Sequence, residues 1–455
     1  MEMKASCRFS IVIATVTLSL LFTTACTPKE TTPLTSEPTS AVAQTATAKT
    51  GEVLPPATAV MEPVGPEGLV TDQSGFLPDH SALYFADVVN GGVVKVKVVG
   101  AEATYFGGSL PDGRVLTTVG EVVYALDLDS GGNMEPLWRA EPIERVFPSP
   151  SGRLIARSFY TSDSLNPKDP FIAVFSMADK AEVFRIPIQS GTSRMLWAPD
   201  EEHLLYQSPY PGNPNQYAMS IVSPREPQSP LVLEEPLRDW GGADWSPEGA
   251  AVLFPAADGV IKYTIETGER TIMYRWPEER LHGKVSVSSV SGHVLVWGYT
   301  LNPPGASAPS TLQAVVFLGD GRGIQISGAS RMAWSPKEDV LLTIANYCTD
   351  RHEIWLIGSD GKVLSVLGSS IHPDSTQWSS DGTQIMYEHA YAALEERVTT
   401  VSSVEGGEEH VIRRMPGVYQ TTWWSPNGRW ILFSPHAAGI CEGTSGRMSE
   451  IRPFP

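Results

Sequence analysis

A short phrase recurs along this chain, and its spacing constrains the fold more than any other feature. The phrase reads Trp-Ser-Pro-x-Gly, loosely kept, and a run of apolar residues follows it. Clear copies are Trp245-Ser246-Pro247-Glu248-Gly249, Trp334-Ser335-Pro336-Lys337 and Trp424-Ser425-Pro426-Asn427-Gly428. Weaker copies are Trp197-Ala198-Pro199-Asp200 and Trp378-Ser379-Ser380-Asp381-Gly382. The tryptophans at 197, 245, 334, 378 and 424 lie 48, 89, 44 and 46 residues apart. The gap of 89 is two units, and a worn copy fills it at Ser291-Gly292 followed by His293-Val294-Leu295-Val296-Trp297. Such a period means that one supersecondary unit is repeated.

Each phrase reads as a strand, a tight turn and a second strand. Proline presets φ for the first central turn position, Asp, Asn or Glu tolerates the next, and Gly supplies positive φ at the end. Apolar strands follow the turns, as in Val252-Leu253-Phe254 and Trp430-Ile431-Leu432-Phe433. A third strand comes after a variable loop (217–222, 261–265, 314–318, 353–357, 398–401), and a weaker fourth precedes the next phrase, as at 363–366 and 410–412. Four short strands per unit make one blade of an all-β propeller with four-stranded antiparallel blades. The Trp is expected at the end of the innermost strand, as a structural ring between blades.

Fainter phrases stand at Ser149-Pro150-Ser151-Gly152, Leu110-Pro111-Asp112-Gly113 and Leu77-Pro78-Asp79-His80, which makes nine. The last unit has room for about three strands, and rings close by pairing strands from both chain ends. One blade is therefore expected to be composite. The expected count is eight, with seven and nine open. The turns that lack Gly, at Glu201, Glu338 and His80, or Pro, at Ser380, are expected to be looser.

On these phrases the chain resembles the TolB-type propellers, a WD-repeat-like family common in bacterial envelopes. The resemblance covers roughly residues 70–455 and is specific for fold. It implies an envelope setting. There is no clear match for the additional N-terminal α/β domain of TolB itself.

The N-terminus has the order of an export signal: Lys4 and Arg8, an apolar run over 9–22, then Thr23-Thr24-Ala25-Cys26. That run is shorter than the roughly 20 residues a membrane span needs. Ala25-Cys26 resembles the lipobox of bacterial lipoproteins, with Thr23 where Leu is usual, which makes Cys26 the lipid attachment site. The expected division is a signal peptide over 1–25, a disordered Thr/Pro/Ala/Ser-rich tether over 26–65, and the propeller over 66–455. The tether composition cannot bury enough apolar surface to order itself. The formal net charge of −18 argues against nucleic acid and anionic lipid as partners. The membrane is reached through the lipid anchor only, on the periplasmic side or at the cell surface.

Chemistry is sparse. Cys348 and Cys441 are a candidate disulfide in an oxidising compartment, although one blade is expected between their units. Asp127-Leu128-Asp129-Ser130-Gly131-Gly132-Asn133 looks superficially like a calcium loop. Trp138 stands where the closing acidic residue would be, so a hairpin turn is the better reading. There is no HExxH or GxSxG motif. No catalytic residue, metal site or cofactor is expected.

The loops after each second strand are long and carry Tyr, Pro and His, and strand alternation puts them on one face. Tyr160, Tyr210, Tyr347, Tyr391 and His436 mark this candidate recognition face. The expected function is non-catalytic recognition of another envelope protein or complex, with glycan or small-molecule binding as a variant. The alternative is a metal-dependent, lyase-like enzyme acting on polysaccharide at the central opening, which needs His352, His389, His436 and acidic neighbours to converge.

Acylation of Cys26 has a direct consequence. Cys26→Ser should move the protein from the membrane to the soluble fraction and abolish incorporation of labelled palmitate; unchanged membrane association would refute the anchor.

Overall fold

In the computed structural model the described residues are 54–64 and 82–434, except for segments 102–103, 140–143, 160–170, 189–194, 211–212, 238–241, 257, 277–280, 301–311, 318–322, 328, 346–352, 370, 392–395, 407–408 and 417–419. Their regular structure is all strand, in seven four-stranded sheets and one five-stranded sheet. Blades 1 to 7 follow one another along the chain over 104–139, 144–187, 195–237, 244–275, 281–327, 329–369 and 371–416. Within each, consecutive strands are antiparallel neighbours in sequence order.

Blade 8 is the expected composite. Its innermost strands, Gln420–Trp424 and Trp430–Ser434, come from the C-terminal part of the chain. Leu83–Asp87 continues the sheet, with Tyr84 opposite Phe433 and Asp87 opposite Trp430, and Val93–Val98 follows. The outermost strand is Ala59–Val64, paired from Ala59 opposite Val98 to Val64 opposite Val93. This corrects the expected tether, which ran to residue 65. The six residues Ala-Val-Met-Glu-Pro-Val carry enough apolar side chains to pack, and they order as a strand. The phrase at 77–80 lies outside the described residues. The strand it precedes is third in blade 8, so nine phrases serve eight sheets.

The core is a ring of eight apolar clusters among the described residues, each shared by two consecutive blades. Ala198, Leu205 and Met219 of blade 3 pack with Trp245, Val252 and Phe254 of blade 4. Leu126 and Val115 of blade 1 pack with Phe85, Trp423 and Leu432 of blade 8. Blades 7 and 8 meet through Met386, Val401, Trp424 and Ile431. No blade buries its apolar faces alone, so the repeat is stable only as a ring.

The tryptophans end the innermost strands, as expected. They also do something the sequence did not disclose. The Trp197 indole N–H donates to Phe147 O at 2.9 Å, Trp245 to Leu196 O at 3.1 Å, Trp334 to Ser286 O at 3.5 Å and Trp378 to Ala333 O at 3.1 Å. Each acceptor is a carbonyl on the innermost strand of the preceding blade. Blade 5 has Val287 at this position. There Asp244 of blade 4 supplies the link, accepting from Val287 N at 2.9 Å and Ser286 Oγ at 3.3 Å. Trp297, the ring of the worn copy, lies on the second strand instead.

Closure departs from the repeat. Trp424 donates to Gly428 O in its own turn, while its neighbour Trp423 donates to Ser109 Oγ of blade 1 at 3.0 Å. Arg429 completes the clasp. Its guanidinium reaches Asp87 Oδ2 at 2.8 Å and Asp129 Oδ1 at 2.7 Å, and lies 4.6 Å from the Trp430 ring centre. Trp430 Nε1 and Asn427 Nδ2 also donate to Asp129. Three sequence-distant segments thus share one charged cluster.

Burial alone would raise the Asp87 carboxyl. Hydrogen bonds from Arg429 and from the backbone and side chain of Asn90 outweigh that and hold it at about 2. A carboxyl held low contributes stability that is full above its ordinary value of 3.8 and is lost as pH falls through about 2. Asp87→Asn should therefore cost about 1–3 kcal/mol at neutral pH. Its deficit against the unmutated protein should shrink as pH falls through this window, as read by chemical denaturation. A separate check is Trp378→Phe, which removes the indole N–H donated to the half-buried Ala333 carbonyl and should cost about 0.5–1.5 kcal/mol.

Candidate functional site

The two faces of the ring are built differently, and the difference locates the candidate site. On one face lie the turns between first and second strands, which contain the repeated phrase. Their geometry explains the phrase residue by residue. The phrase serine is buried, and its hydroxyl accepts a backbone N–H from five residues on: Ala251 N to Ser246 Oγ at 3.0 Å, Gln384 N to Ser379 Oγ at 2.9 Å and Trp430 N to Ser425 Oγ at 2.8 Å. The turn closes with Gly249 N to Ser246 O at 2.9 Å and its counterparts. Gly249 has φ +74°, and a Cβ there would lie 2.9 Å from Asp200 Cγ of the preceding blade.

That approach recurs around the ring. Asn427 crowds Gly113, Pro111 crowds Gly152, Pro247 lies against Gly292, and Ser335 and Lys337 crowd Gly382. Ser291 Oγ donates to Asp339 Oδ1 at 2.6 Å, and Ser380 Oγ donates to Pro426 O. Between blades 2 and 3, Glu201 takes the role of the missing glycine. It adopts φ +61° and keeps the turn bond to Ala198 O. The expectation of a looser turn is therefore corrected at Glu201. At Ser380 the turn is likewise closed, by Gly382 N to Ser379 O. Glu201 is buried, and its carboxylate accepts from the Ser151 N–H and hydroxyl and from Arg153. Burial raises that carboxyl, and the Ser151 and Arg153 hydrogen bonds bring it below the ordinary glutamate value. Turns of adjacent blades thus approach one another at all eight junctions, and hydrogen bonds cross those of blades 2–3, 5–6 and 7–8.

The opposite face receives the ends of the second and third strands. The strand ends on the turn-bearing face are fixed by the phrase, so extra strand length projects here. The two middle strands are longest in blades 3 and 7: 7 and 11 residues in blade 3, 8 and 8 in blade 7. They are five to seven residues in the other blades. Blades 3 and 7 are four apart in a ring of eight and so stand on opposite sides of this face.

Tyr210 ends the second strand of blade 3, in register with Asn213, and Tyr391 ends that of blade 7, in register with Glu396. The structure brings these two candidate residues to the same face, on opposing blades. Strand also runs into two of the expected loops, over 208–210 and 213–214 in blade 3 and over 389–391 and at 396 in blade 7, with 211–212 and 392–395 outside the described residues. Pro209 pairs with Tyr217 at a bulge and Pro214 lies inside the strand Asn213–Ser223, so register overrides the proline signal. Tyr160, Tyr347 and His436 lie outside the described residues, as do Cys26, Cys348 and Cys441. His352 is also outside them, and the backbone of His389 pairs with Val398 within blade 7.

The Asp127 segment is a hairpin turn between the third and fourth strands of blade 1. Asp127 Oδ1 accepts the N–H groups of Asp129 and Ser130, and Asp129 belongs to the closing clasp. Among the described residues no group of three or more His, Cys, Asp or Glu side chains is placed to hold a metal ion.

No protein-family model matches the chain, and no curated protein sequence matches it. Solved structures do. Dihydro-heme d1 dehydrogenase NirN, in complex with DHE, is 15% identical, with a TM-score of 0.47 over 79% of this chain and 78% of its own. The C-terminal WD40 domain of Sif2 is 10% identical, with a TM-score of 0.47 over 80% of this chain and 99% of its own. A prolyl endopeptidase is 12% identical, with a TM-score of 0.47 over 68% of this chain; the match spans 49% of the endopeptidase. At such identities none of these proteins' activities carries over.

Proposed function

We propose that this protein is a TolB-type propeller lipoprotein of a bacterial envelope, acylated at Cys26, and that it works as a non-catalytic recognition scaffold for another envelope protein or complex. The observation that carries this reading is the asymmetry of the ring. One face has its turns packed against one another around the ring, with hydrogen bonds across the junctions of blades 2–3, 5–6 and 7–8, and the other carries the projecting middle hairpins of blades 3 and 7. A rigid scaffold that projects elements from one face is suited to holding a partner by shape and side-chain contact. The net charge of −18 favours a partner surface with basic groups over nucleic acid. In this reading the ring supplies rigidity, the two hairpins supply contact, and the segment between Cys26 and the first strand sets the reach from the membrane.

The test is affinity capture from envelope extract with the full chain, read by mass spectrometry, against a variant whose residues 209–214 and 390–397 are replaced by two-residue turns. Expected is one recurring protein partner that the variant loses, while the near-ultraviolet signal of the buried tryptophans is unchanged. A partner retained by the variant would overturn the assignment of the face. Capture of glycan without protein would overturn the scaffold reading.

A further inference from the structure

Blade 8 has a strand more than the other seven. Among the described residues the fourth strand of those blades is the last of its sheet, whereas in blade 8 Val93–Val98 is covered along its outer edge by Ala59–Val64 in an unbroken six-residue register. One further backbone bond, Val99 N to Thr58 O at 2.9 Å, extends the ladder. The ring does not need this strand for closure, because the clasp around Arg429 and the pairing of Leu83–Asp87 with Trp430–Ser434 already join the chain ends.

The segment does more than cap an edge. Ala59 is buried in the cluster shared by blades 8 and 1, and Met61 packs against the same cluster. Val64, on the other side of the strand, packs against the cluster shared by blades 7 and 8. Upstream, the Tyr124 hydroxyl of blade 1 donates to Pro55 O at 3.0 Å. Gly132 of blade 1 has φ +94°, and a Cβ there would meet Met61 Cγ at 3.2 Å and Ala59 Cβ at 3.5 Å. The surface under Ala59 and Met61 is therefore fitted to a small residue and a long unbranched one, two positions apart. In the Lys95–Glu62 pair at 3.0 Å the glutamate is exposed to solvent, so the pair adds register more than stability.

We propose that the outer edge of Val93–Val98, with the surface over Gly132 and Tyr124, is a strand-binding site for an extended peptide bearing a small residue and a long apolar residue at i and i+2, and that residues 55–64 occupy it in cis. Recognition is strand addition: backbone bonds give affinity and alternate side chains give selectivity. The site fixes the point where the N-terminal segment leaves the ring, at the junction of blades 8 and 1. It stands on this geometry whether or not Cys26 carries lipid.

The experiment uses the full chain with a protease site inserted between residues 65 and 81. After cleavage, the N-terminal fragment should co-elute with the ring on size exclusion. A synthetic peptide of residues 55–64 should displace it in a saturable manner. Met61→Asp should weaken retention by roughly tenfold or more. Immediate loss of the unmutated fragment would overturn the proposal, and so would retention indifferent to both the peptide and Met61→Asp. If Met61→Asp disturbs folding, peptide displacement from the unmutated ring still decides.

Discussion

Closure of the ring is the constraint on which everything else depends. A four-stranded blade has two apolar faces and cannot bury either alone, so each blade needs a neighbour on both sides. An open row of such blades would leave two raw faces and an uncovered sheet edge. Here the chain ends meet within one sheet. Arg429 sits where that sheet touches the first blade and binds Asp87 and Asp129 together. A buried or half-buried charge is costly unless it is paired and hydrogen-bonded. This cluster meets the condition, since Asp87 also accepts the N–H groups of Val89 and Asn90 and Asp129 accepts from Trp430 and Asn427.

Within the closed ring, the phrase is a joint. Its Trp reaches back to the preceding blade's inner strand, its Ser holds the turn from inside, and its turn touches the turn of the adjacent blade. Substitutions at single positions are met by local replacements. Asp244 takes over where blade 5 lacks the Trp, and Glu201 accepts positive φ where blade 3 lacks the Gly, gaining hydrogen bonds to Ser151 and Arg153. Positive φ outside glycine is strained, and it persists where the surroundings hold it.

The same economy separates the two faces. One is saturated with turn-to-turn contacts. The other is free to vary in strand length, and it does so most in two blades that face each other across the ring. The extra strand of blade 8 adds a third feature at the perimeter, where Ala59–Val64 pairs with Val93–Val98. In the proposed reading, rigidity, display and attachment occupy three different parts of one ring.

The sequence by itself determined the fold class and the composite blade, because a repeat of four-stranded units leaves few other ways to bury its faces. The phrase also placed the inner-strand tryptophans and the hairpin at Asp127, where turn chemistry is local. The candidate recognition face was legible only as a side of the sheet: alternation puts Tyr210 and Tyr391 there, but Pro209 and Pro214, which favour a loop, both lie within strands. Tertiary structure alone decided the rest. The Trp-to-carbonyl links, the Glu201 and Asp244 replacements, the Arg429 clasp and the docking of Ala59–Val64 all join residues from different blades or distant segments. Periodicity records how a unit is built, and it carries no information about which atoms of one unit meet which atoms of its neighbour.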